Sequence, residues 1–275
     1  MADADAVVPY KAGRGEWKTS SSRPQFSIEN FTQFVEYNSL VLMLRIEAKH
    51  FYNNRVHRKK VAMAQRIAVG GSAANPPHLG HQAVIRALIR SGRFNSIIWI
   101  PSGTRRGKEH LVDPNHRVAM TILTFPDNWF FREGPKFIVD FHDVYGANTP
   151  ACEWIRKIQI ANPGAEIVWY TGADSVVPQE RFNGKCEIEA AWTEGPSLMR
   201  SAKFCILPRA PFCSHPESLG LSSNFEVLNA RLPGISSSDI CRRIKEGERW
   251  EHLVTVKVAR YIKKFGLYGW TGKDA

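Results

Sequence analysis

The chain has 275 residues, of which 43% are hydrophobic and 23% charged, a composition typical of a globular protein with a sizeable core. Its formal net charge of +11 implies attraction to phosphate groups, whether on free nucleotides or on nucleic acid. The apolar run 40–44 is too short to span a bilayer and the first residues lack the order of a signal peptide, so we expect a cytoplasmic protein without a membrane partner.

Residues 1–65 differ in pattern from the rest of the chain. They begin with a polar, turn-rich stretch, which predicts an N-terminal extension that is partly disordered. Residues 26–52 then show an amphipathic pattern compatible with one helix capped by Ser27. The basic run Arg55–Lys60 has no nucleic-acid-binding signature beside it, so a solvated face or linker is the simpler interpretation and nucleic acid stays a minor alternative.

From residue 66 onward, short β-branched runs alternate with helical patterns. Strands are predicted at 66–71, 96–101, 136–141, 165–172 and 203–209. Helices are predicted at 79–92, 113–125 (with Asp113 as its N-cap), 149–161, 236–247 and 252–269. This alternation predicts one α/β domain over residues 66–275, with a doubly wound, Rossmann-like parallel sheet covered by helices on both faces.

The cysteines of this chain do not point to a particular function. The chain has five of them, and their spacing is wide and irregular. Such an arrangement fits neither a disulfide framework nor a zinc site, so we expect reduced, structural thiols.

The most informative stretch is VGGSAANPPHLGHQAVIRAL, residues 69–88, where the first strand meets the first helix. Gly70 and Gly71 predict a turn that exposes backbone amides to a ligand. The helix that follows points its unpaired N–H groups and positive dipole end at the same place. His78 and His81 are three residues apart there, so both imidazoles can face one phosphate group. The stretch therefore predicts a site for a phosphate chain.

A simpler interpretation exists for each part of this stretch. A histidine near a helix start is usually a cap or a surface group, and a glycine pair alone is only a turn. The spacing is neither that of the dinucleotide-binding fingerprint nor that of the phosphate loop with its lysine, which excludes both classes. The preceding strand and the following helix together favour a nucleotide site at the carboxyl edge of the sheet.

GSAANPPHLGH, residues 71–81, resembles the signature of the nucleotidyltransferase superfamily that carries the histidine pair HxGH. Further segments resemble the family's other motifs in the right order: the loop and helix with Lys108 and Arg117, the GxD turn of Gly172 and Asp174, the strand ending in Arg209, and GISSSDICRRI (234–244), which is similar to ISSTxIR. Over residues 66–269 the chain thus resembles a nicotinate or nicotinamide mononucleotide adenylyltransferase.

This resemblance implies that the phosphate of a pyridine mononucleotide attacks the α-phosphorus of ATP and that pyrophosphate leaves without a covalent enzyme intermediate. It implies His78 and His81 as catalytic residues, with Mg²⁺ brought by ATP and no resident metal. The implied ATP-binding residues are Gly71, Ser72, Lys108, Gly172, Asp174, Arg209, Ser237, Ser238 and Arg242. Trp192 and Thr149 are implied for the mononucleotide, Trp192 by stacking on the pyridine ring, although a core tryptophan is the open alternative.

Three features depart from the family pattern. Ala74 stands where the family usually has phenylalanine, Cys241 stands where ISSTxIR has its arginine, and residues 1–65 have no counterpart in the minimal enzyme. Arg242 or Arg243 could supply the missing phosphate contact. The first two departures leave a relaxed substrate preference, a weak enzyme or an inactive member open.

Two other functions remain open from the sequence. One is a related transferase that uses CTP or an acceptor such as phosphopantetheine, and the other is a non-catalytic protein that binds nucleotides or nucleic acid. The GxD turn and the serine-rich helix start favour the adenylyltransferase. The sequence does not decide between nicotinate and nicotinamide, and it leaves a homo-oligomer open.

Overall fold

The computed structural model describes residues 65–104, 110–125, 134–208 and 223–272. The strands are β1 (Arg66–Ser72), β2 (Ser96–Pro101), β3 (Lys136–Val139), β4 (Glu166–Gly172), β5 (Lys203–Leu207) and β6 (Phe225–Val227). The α-helices are α1 (Leu79–Arg90), α2 (Pro114–Thr124), α3 (Ala151–Ala161), α4 (Glu187–Ala191), α5 (Gly195–Ser201), α6 (Ser237–Glu246) and α7 (Val256–Phe265). The strands form one parallel sheet in the order β3-β2-β1-β4-β5-β6, which confirms the predicted Rossmann-like fold.

The central strand β1 shows why helices cover both faces of the sheet. Successive side chains of a strand point to opposite faces. Ile67 and Val69 are buried in one cluster with Trp154 of α3, whereas Ala68 is buried in another cluster with Leu88 of α1. A strand that is apolar on both faces belongs in the interior of a parallel sheet, as the near-continuous apolar run of β1 predicts.

Capping residues fix the starts of α2 and α6. Asp113 is the N-cap of α2, as predicted, and its carboxylate accepts a hydrogen bond from the backbone N–H of Asn115 at 2.8 Å. Ser236 caps α6 through its side chain, and Gly247 ends that helix with a φ of 73°, a conformation that glycine adopts without strain. These local signals explain why the positions of both helices follow from the sequence.

The predicted glycine turn after the first strand is wrong. Gly70 and Gly71 lie inside β1, and Gly71 is paired with Ile100 of β2. A Cβ atom at Gly71 would lie 1.9 Å from the carbonyl oxygen of Ile100, and one at Gly70 would lie 2.5 Å from that of Tyr170. Glycine is required at both positions because the backbones of neighbouring strands approach closely, not because the chain turns.

Several short elements were not predicted. Strand β6 and helices α4 and α5 have three, five and seven residues, too few for a periodicity to be recognised. Some predicted elements were also too long. The helix expected over 252–269 is confined to α7, because Thr255 caps its start and Gly266 ends it with a φ of 59°.

The described cysteines have free thiols, and Cys213 lies outside the described residues. Cys152, Cys186 and Cys205 are buried in the hydrophobic clusters on the two faces of the sheet. Burial raises the pKa of the Cys205 thiol to about 12, so this residue behaves as a small apolar core residue rather than a nucleophile.

Candidate active site

The carboxyl ends of β1 and β4 lie side by side where the strand order reverses direction. Open α/β sheets bind their ligands in the crevice at such a point. The loop 73–78 leads from β1 to α1, Gly172 ends β4, and Asp174 lies in the single 3₁₀ turn that follows. The first residue of α6, Ser237, donates its hydroxyl hydrogen to the carbonyl of Pro76 at 2.9 Å. The structure thus brings three of the predicted segments to one edge of the sheet.

His78 and His81 form the start of α1 with their rings stacked, the ring centroids 3.7 Å apart. His78 is the N-cap residue, and its Nδ1 accepts a hydrogen bond from the backbone N–H of Gly80 at 3.1 Å. His81 lies in the first turn, and its Nδ1 accepts from the backbone N–H of His78 at 3.1 Å. The two side chains therefore form a reciprocal capping box, the role that Ser or Thr and Glu or Gln usually share.

These caps decide which ring nitrogen carries the hydrogen. Because each Nδ1 accepts a backbone N–H, the neutral form of each ring has its hydrogen on Nε2. Both rings then present an N–H donor on the edge that faces away from the cap, and such a donor suits a phosphate oxygen. His78 is 4% exposed, and His81 packs near Trp99 with the ring centroids 5.5 Å apart.

The glycine of the HLGH segment is explained by the same cap. A Cβ atom at Gly80 would lie 2.8 Å from both Nδ1 and Cε1 of His78, well inside contact distance. The His78 ring is buried and has little room to move aside. Glycine at this position therefore allows the histidine ring to fold over the first turn of the helix.

Asn75 connects the loop before the histidines to other parts of the chain. Its Oδ1 accepts hydrogen bonds from the Tyr268 hydroxyl at 3.0 Å and from the backbone N–H of Val112 at 3.3 Å. Its carbonyl accepts from the thiol of Cys241 at 3.5 Å. The neighbouring Ala74 is fully buried with a φ of 49°, so the position of the usual phenylalanine is part of the packed interior.

Sequence reasoning did not single out Asn75 or Tyr268. The two residues are 193 positions apart, and no local pattern links an asparagine in a loop to a tyrosine after the last helix. Burial raises the pKa of Tyr268 well above its ordinary value, so its hydroxyl keeps its hydrogen and remains a donor to Asn75. The structure thus adds a contact from the C-terminal segment to the candidate site.

Cys241 and Arg242 are neighbours on α6, and their side chains make contacts on different sides of that helix. The thiol of Cys241 contacts the carbonyl of Asn75 in the histidine loop. Arg242 instead forms ion pairs with the carboxylates of Asp239, Glu246 and Glu248. The guanidinium donates hydrogen bonds to these carboxylates, and these bonds, that to Glu248 first, raise the pKa of Arg242. The motif position that faces the loop is therefore the one that holds cysteine here.

Arg243, the other candidate for the missing phosphate contact, is engaged in the same acidic cluster. Its Nε donates to the carboxylate of Asp239 at 2.8 Å. The arrangement keeps both arginines bound to carboxylates of their own helix and of the turn that follows it. A phosphate contact from Arg242 or Arg243 stays a prediction, and it would require the arginine to leave these ion pairs.

The two residues predicted for the mononucleotide lie in packed surroundings. The hydroxyl of Thr149 donates to the buried carboxylate of Asp143 at 2.6 Å, and its backbone N–H donates to the same carboxylate at 3.1 Å. Trp192 is partly buried and packs edge-on against Trp169, with the ring centroids 6.1 Å apart. Both residues support the local structure, and their contacts with a mononucleotide stay predictions.

Of the remaining predicted site residues, two lie in the described structure and two lie outside it. Ser72 is the last residue of β1, and its hydroxyl oxygen accepts from the backbone N–H of Ala74 at 3.3 Å. Ser238 follows Ser237 in the first turn of α6. Lys108 and Arg209 lie outside the described residues. Over the ranges that the structure describes, no group of three or more His, Cys, Asp or Glu side chains could hold a metal ion.

The protein-family comparison decides the class of this site. The family model described as Cytidylyltransferase-like matches residues 69–243, which include the histidine loop, the end of β4 and the start of α6. The chain belongs to the cytidylyltransferase-like family. The predicted resemblance and the nucleotidyltransferase class are thereby confirmed. As a cytidylyltransferase-like protein, the chain carries its HxGH histidines inside the matched region.

Two curated relatives of this cytidylyltransferase-like protein share one name. A probable nicotinate-nucleotide adenylyltransferase of Clavibacter michiganensis subsp. michiganensis is 28% identical over 204 residues, covering 74% of this chain and 94% of that protein. One of Carboxydothermus hydrogenoformans, with the same name, is 26% identical over 212 residues, covering 74% of this chain and 98% of that protein. The similarity spans almost the whole length of both relatives.

Solved structures support the fold of this cytidylyltransferase-like protein. The nicotinic acid mononucleotide adenylyltransferase of Plasmodium falciparum, complexed with NaAD, aligns with a TM-score of 0.62 and 18% identity, covering 76% of this chain and 100% of that one. The same enzyme complexed with APC aligns with a TM-score of 0.61. Within the described ranges, no helix combines the length and hydropathy that crossing a membrane requires.

Proposed function

We propose that this protein transfers the adenylyl group of ATP to nicotinate mononucleotide and releases pyrophosphate, a step of NAD biosynthesis. The observation that carries the proposal is the histidine capping box at the nucleotide crevice of a cytidylyltransferase-like sheet. The common name of the curated relatives favours nicotinate over nicotinamide as the acceptor.

The reaction needs positioning and charge stabilisation more than a nucleophile on the enzyme. An oxygen of the acceptor phosphate forms a bond to the α-phosphorus of ATP while the bond from that phosphorus to the bridging oxygen breaks. The electron pair leaves with pyrophosphate. The Nε2–H groups of His78 and His81 would donate to the ATP phosphates where negative charge develops.

Helix starts supply the other phosphate contacts in this proposal. Helices α1 and α6 begin on either side of the loop 73–78, joined there by the bond from Ser237 to Pro76, and helix N-termini favour anions. Ser237 and Ser238 would hold the outgoing pyrophosphate. Mg²⁺ arrives with ATP as part of the substrate, and Asp174 offers a carboxylate of the kind that joins phosphate oxygens around this ion.

Measurement of pyrophosphate release tests the proposal. We expect release when the protein is given ATP, Mg²⁺ and nicotinate mononucleotide, and slower release with nicotinamide mononucleotide. CTP in place of ATP and phosphopantetheine as acceptor test the second candidate, for which the family description is the reason. Nucleotide binding without pyrophosphate from any pair of substrates would indicate a non-catalytic protein and contradict the proposal.

Replacement of Cys241 by arginine is expected to strengthen ATP binding. The thiol lies 3.5 Å from the loop carbonyl of Asn75, so a longer cationic side chain at this position would reach the phosphates beside that loop. One added charge-assisted hydrogen bond is worth about 1.5–3 kcal/mol, which corresponds to a decrease of roughly tenfold or more in the KM for ATP. Steady-state kinetics with varied ATP measure the change.

The control for this variant is Cys241→Leu, which adds bulk without charge and reports the cost of packing by thermal unfolding. A gain specific to arginine supports a phosphate contact at position 241. If Cys241→Arg is folded and its ATP kinetics equal those of the natural protein, this side of α6 does not face the phosphates.

A further inference from the structure

Arg117 is a buried arginine beneath the candidate site, at 1% exposure. It lies on α2, and its guanidinium donates hydrogen bonds to three backbone carbonyls. Nη1 donates to Ala73 at 2.9 Å and to Ser102 at 2.6 Å, and Nη2 donates to Val144 at 2.9 Å. All three acceptors are main-chain oxygens of loops.

Each of these carbonyls lies beyond the carboxyl end of a different strand. Ala73 is the first residue after β1 and opens the loop that leads to the histidines. Ser102 is the first residue after β2, and Val144 belongs to the segment between β3 and α3. The guanidinium therefore joins the exits of three neighbouring strands on the edge of the sheet where the candidate site lies.

Burial of the charged Arg117 side chain costs free energy, and a residue that only supported the fold would not need that charge. Within the described part of the chain, no carboxylate forms an ion pair with Arg117, and its Nε has no hydrogen-bond partner. Burial lowers the pKa of Arg117, but a guanidinium remains protonated in proteins. The hydrogen bonds of this buried charge all go to carbonyls, and Asp113 attracts it only without an ion pair, so it is a poor choice for stability compared with an apolar side chain.

The start of the loop 73–78 is held by Arg117, whereas its later residues are held by other parts of the chain. Ser237, Cys241 and Tyr268 contact Asn75 and Pro76 from the C-terminal segments, but they leave Ala73 to Arg117. Displacement of reacting groups by about 1 Å is enough to lower an enzymatic rate by roughly a hundredfold. A group that fixes Ala73 thus bears on the position of the histidines at the end of the loop.

We infer that Arg117 is a positioning residue for nucleotide binding, which acts through the loop 73–78 and does not touch the nucleotide. It fixes the start of the loop through the Ala73 carbonyl, and it places a positive charge behind the segment that would receive the phosphates. The inference rests on the proposed function for its kinetic part, whereas its effect on the loop can be measured without substrate.

Two substitutions separate the bonds from the charge. Arg117→Met removes both, and Arg117→Lys keeps the charge but cannot reproduce the planar fork that bonds three carbonyls. The matched control is Arg66→Met on the opposite edge of the sheet, where Arg66 pairs with Glu166 at 2.8 Å and with Glu226 at 3.1 Å. The control removes the hydrogen bonds of an arginine at the other end of the strands but leaves the histidine loop intact.

The readouts are hydrogen–deuterium exchange, the KM for ATP, kcat and the melting temperature. In Arg117→Met, hydrogen–deuterium exchange of residues 72–78 becomes faster without nucleotide, whereas the amides of β4 and β5 keep their protection. Loss of the charge-assisted bonds raises the KM for ATP by about tenfold or more, and kcat falls as well. Arg117→Lys gives intermediate values. Arg66→Met lowers the melting temperature but changes neither the exchange of the loop nor the KM.

The inference is overturned if folded Arg117→Met or Arg117→Lys has the loop exchange and KM of the natural protein, whatever its melting temperature. Should Arg117→Met fail to fold, the lysine variant alone decides, because it must still accelerate loop exchange. Absence of pyrophosphate from the natural protein would instead refute the proposed function, and the exchange of residues 72–78 would then remain the test of Arg117.

Discussion

Replacement of His81 by alanine is expected to lower kcat by about a hundredfold or more, the usual loss when one preorganised donor to a developing charge is removed. The fold should persist, since His81 lies at the start of α1 and outside the buried clusters. The free energy of unfolding is expected to fall by roughly 1 kcal/mol, because the His81 ring also accepts a hydrogen bond from the backbone N–H of His78 at 3.1 Å.

A second substitution separates the catalytic role of His81 from its role in the cap. Glutamine, like glutamate, commonly fills this third helical position of a capping box, so His81→Gln can restore the cap without an imidazole. We expect His81→Gln to recover the melting temperature but not kcat. Recovery of kcat by glutamine, or turnover near that of the natural protein in His81→Ala, would remove this ring from the mechanism.

Replacement of Gly71 by alanine is expected to lower the free energy of unfolding by about 3 kcal/mol, at the upper end of the usual cost of overpacking. The added Cβ would lie 1.9 Å from the carbonyl oxygen of Ile100, and neither backbone can move without breaking the pairing of β1 with β2. Denaturant unfolding measures the loss.

The matched control is Gly146→Ala, because a Cβ atom there would meet nothing within 4 Å. This control should keep a stability close to that of the natural protein. If Gly71→Ala were as stable as the control but had lost ATP binding, the glycine would serve the approach of a ligand, and the packing account of β1 would be incorrect.

The architecture was predictable because it depends on signals local to each element. The apolar run of β1 and the Asp113 cap of α2 were recognised from a few consecutive residues, and their order gives a parallel sheet. The reason for Gly71 was not predictable in this way. A strand interior and a turn both accept glycine, and only the neighbouring Ile100 distinguishes them.

The position of the histidine pair was predictable from the sequence, but the contacts that hold the loop before it were not. The HxGH spacing indicated two imidazoles at a helix start, and the structure places His78 and His81 there. The contacts that hold the loop come from residues far along the chain, such as Tyr268 on Asn75 and Arg117 on Ala73. Such contacts follow from the tertiary fold, which a periodic pattern does not specify.

The most direct test of the account follows the α-phosphate of ATP. The natural protein and His81→Gln, at the same folded concentration, are incubated with ATP labelled on the α-phosphate, Mg²⁺ and nicotinate mononucleotide, and the products are separated. The account predicts that the label enters nicotinate adenine dinucleotide together with an equal amount of pyrophosphate, and that the variant forms this product about a hundredfold more slowly. Label that stays in ATP, or dinucleotide formed equally fast by both proteins, would contradict the account.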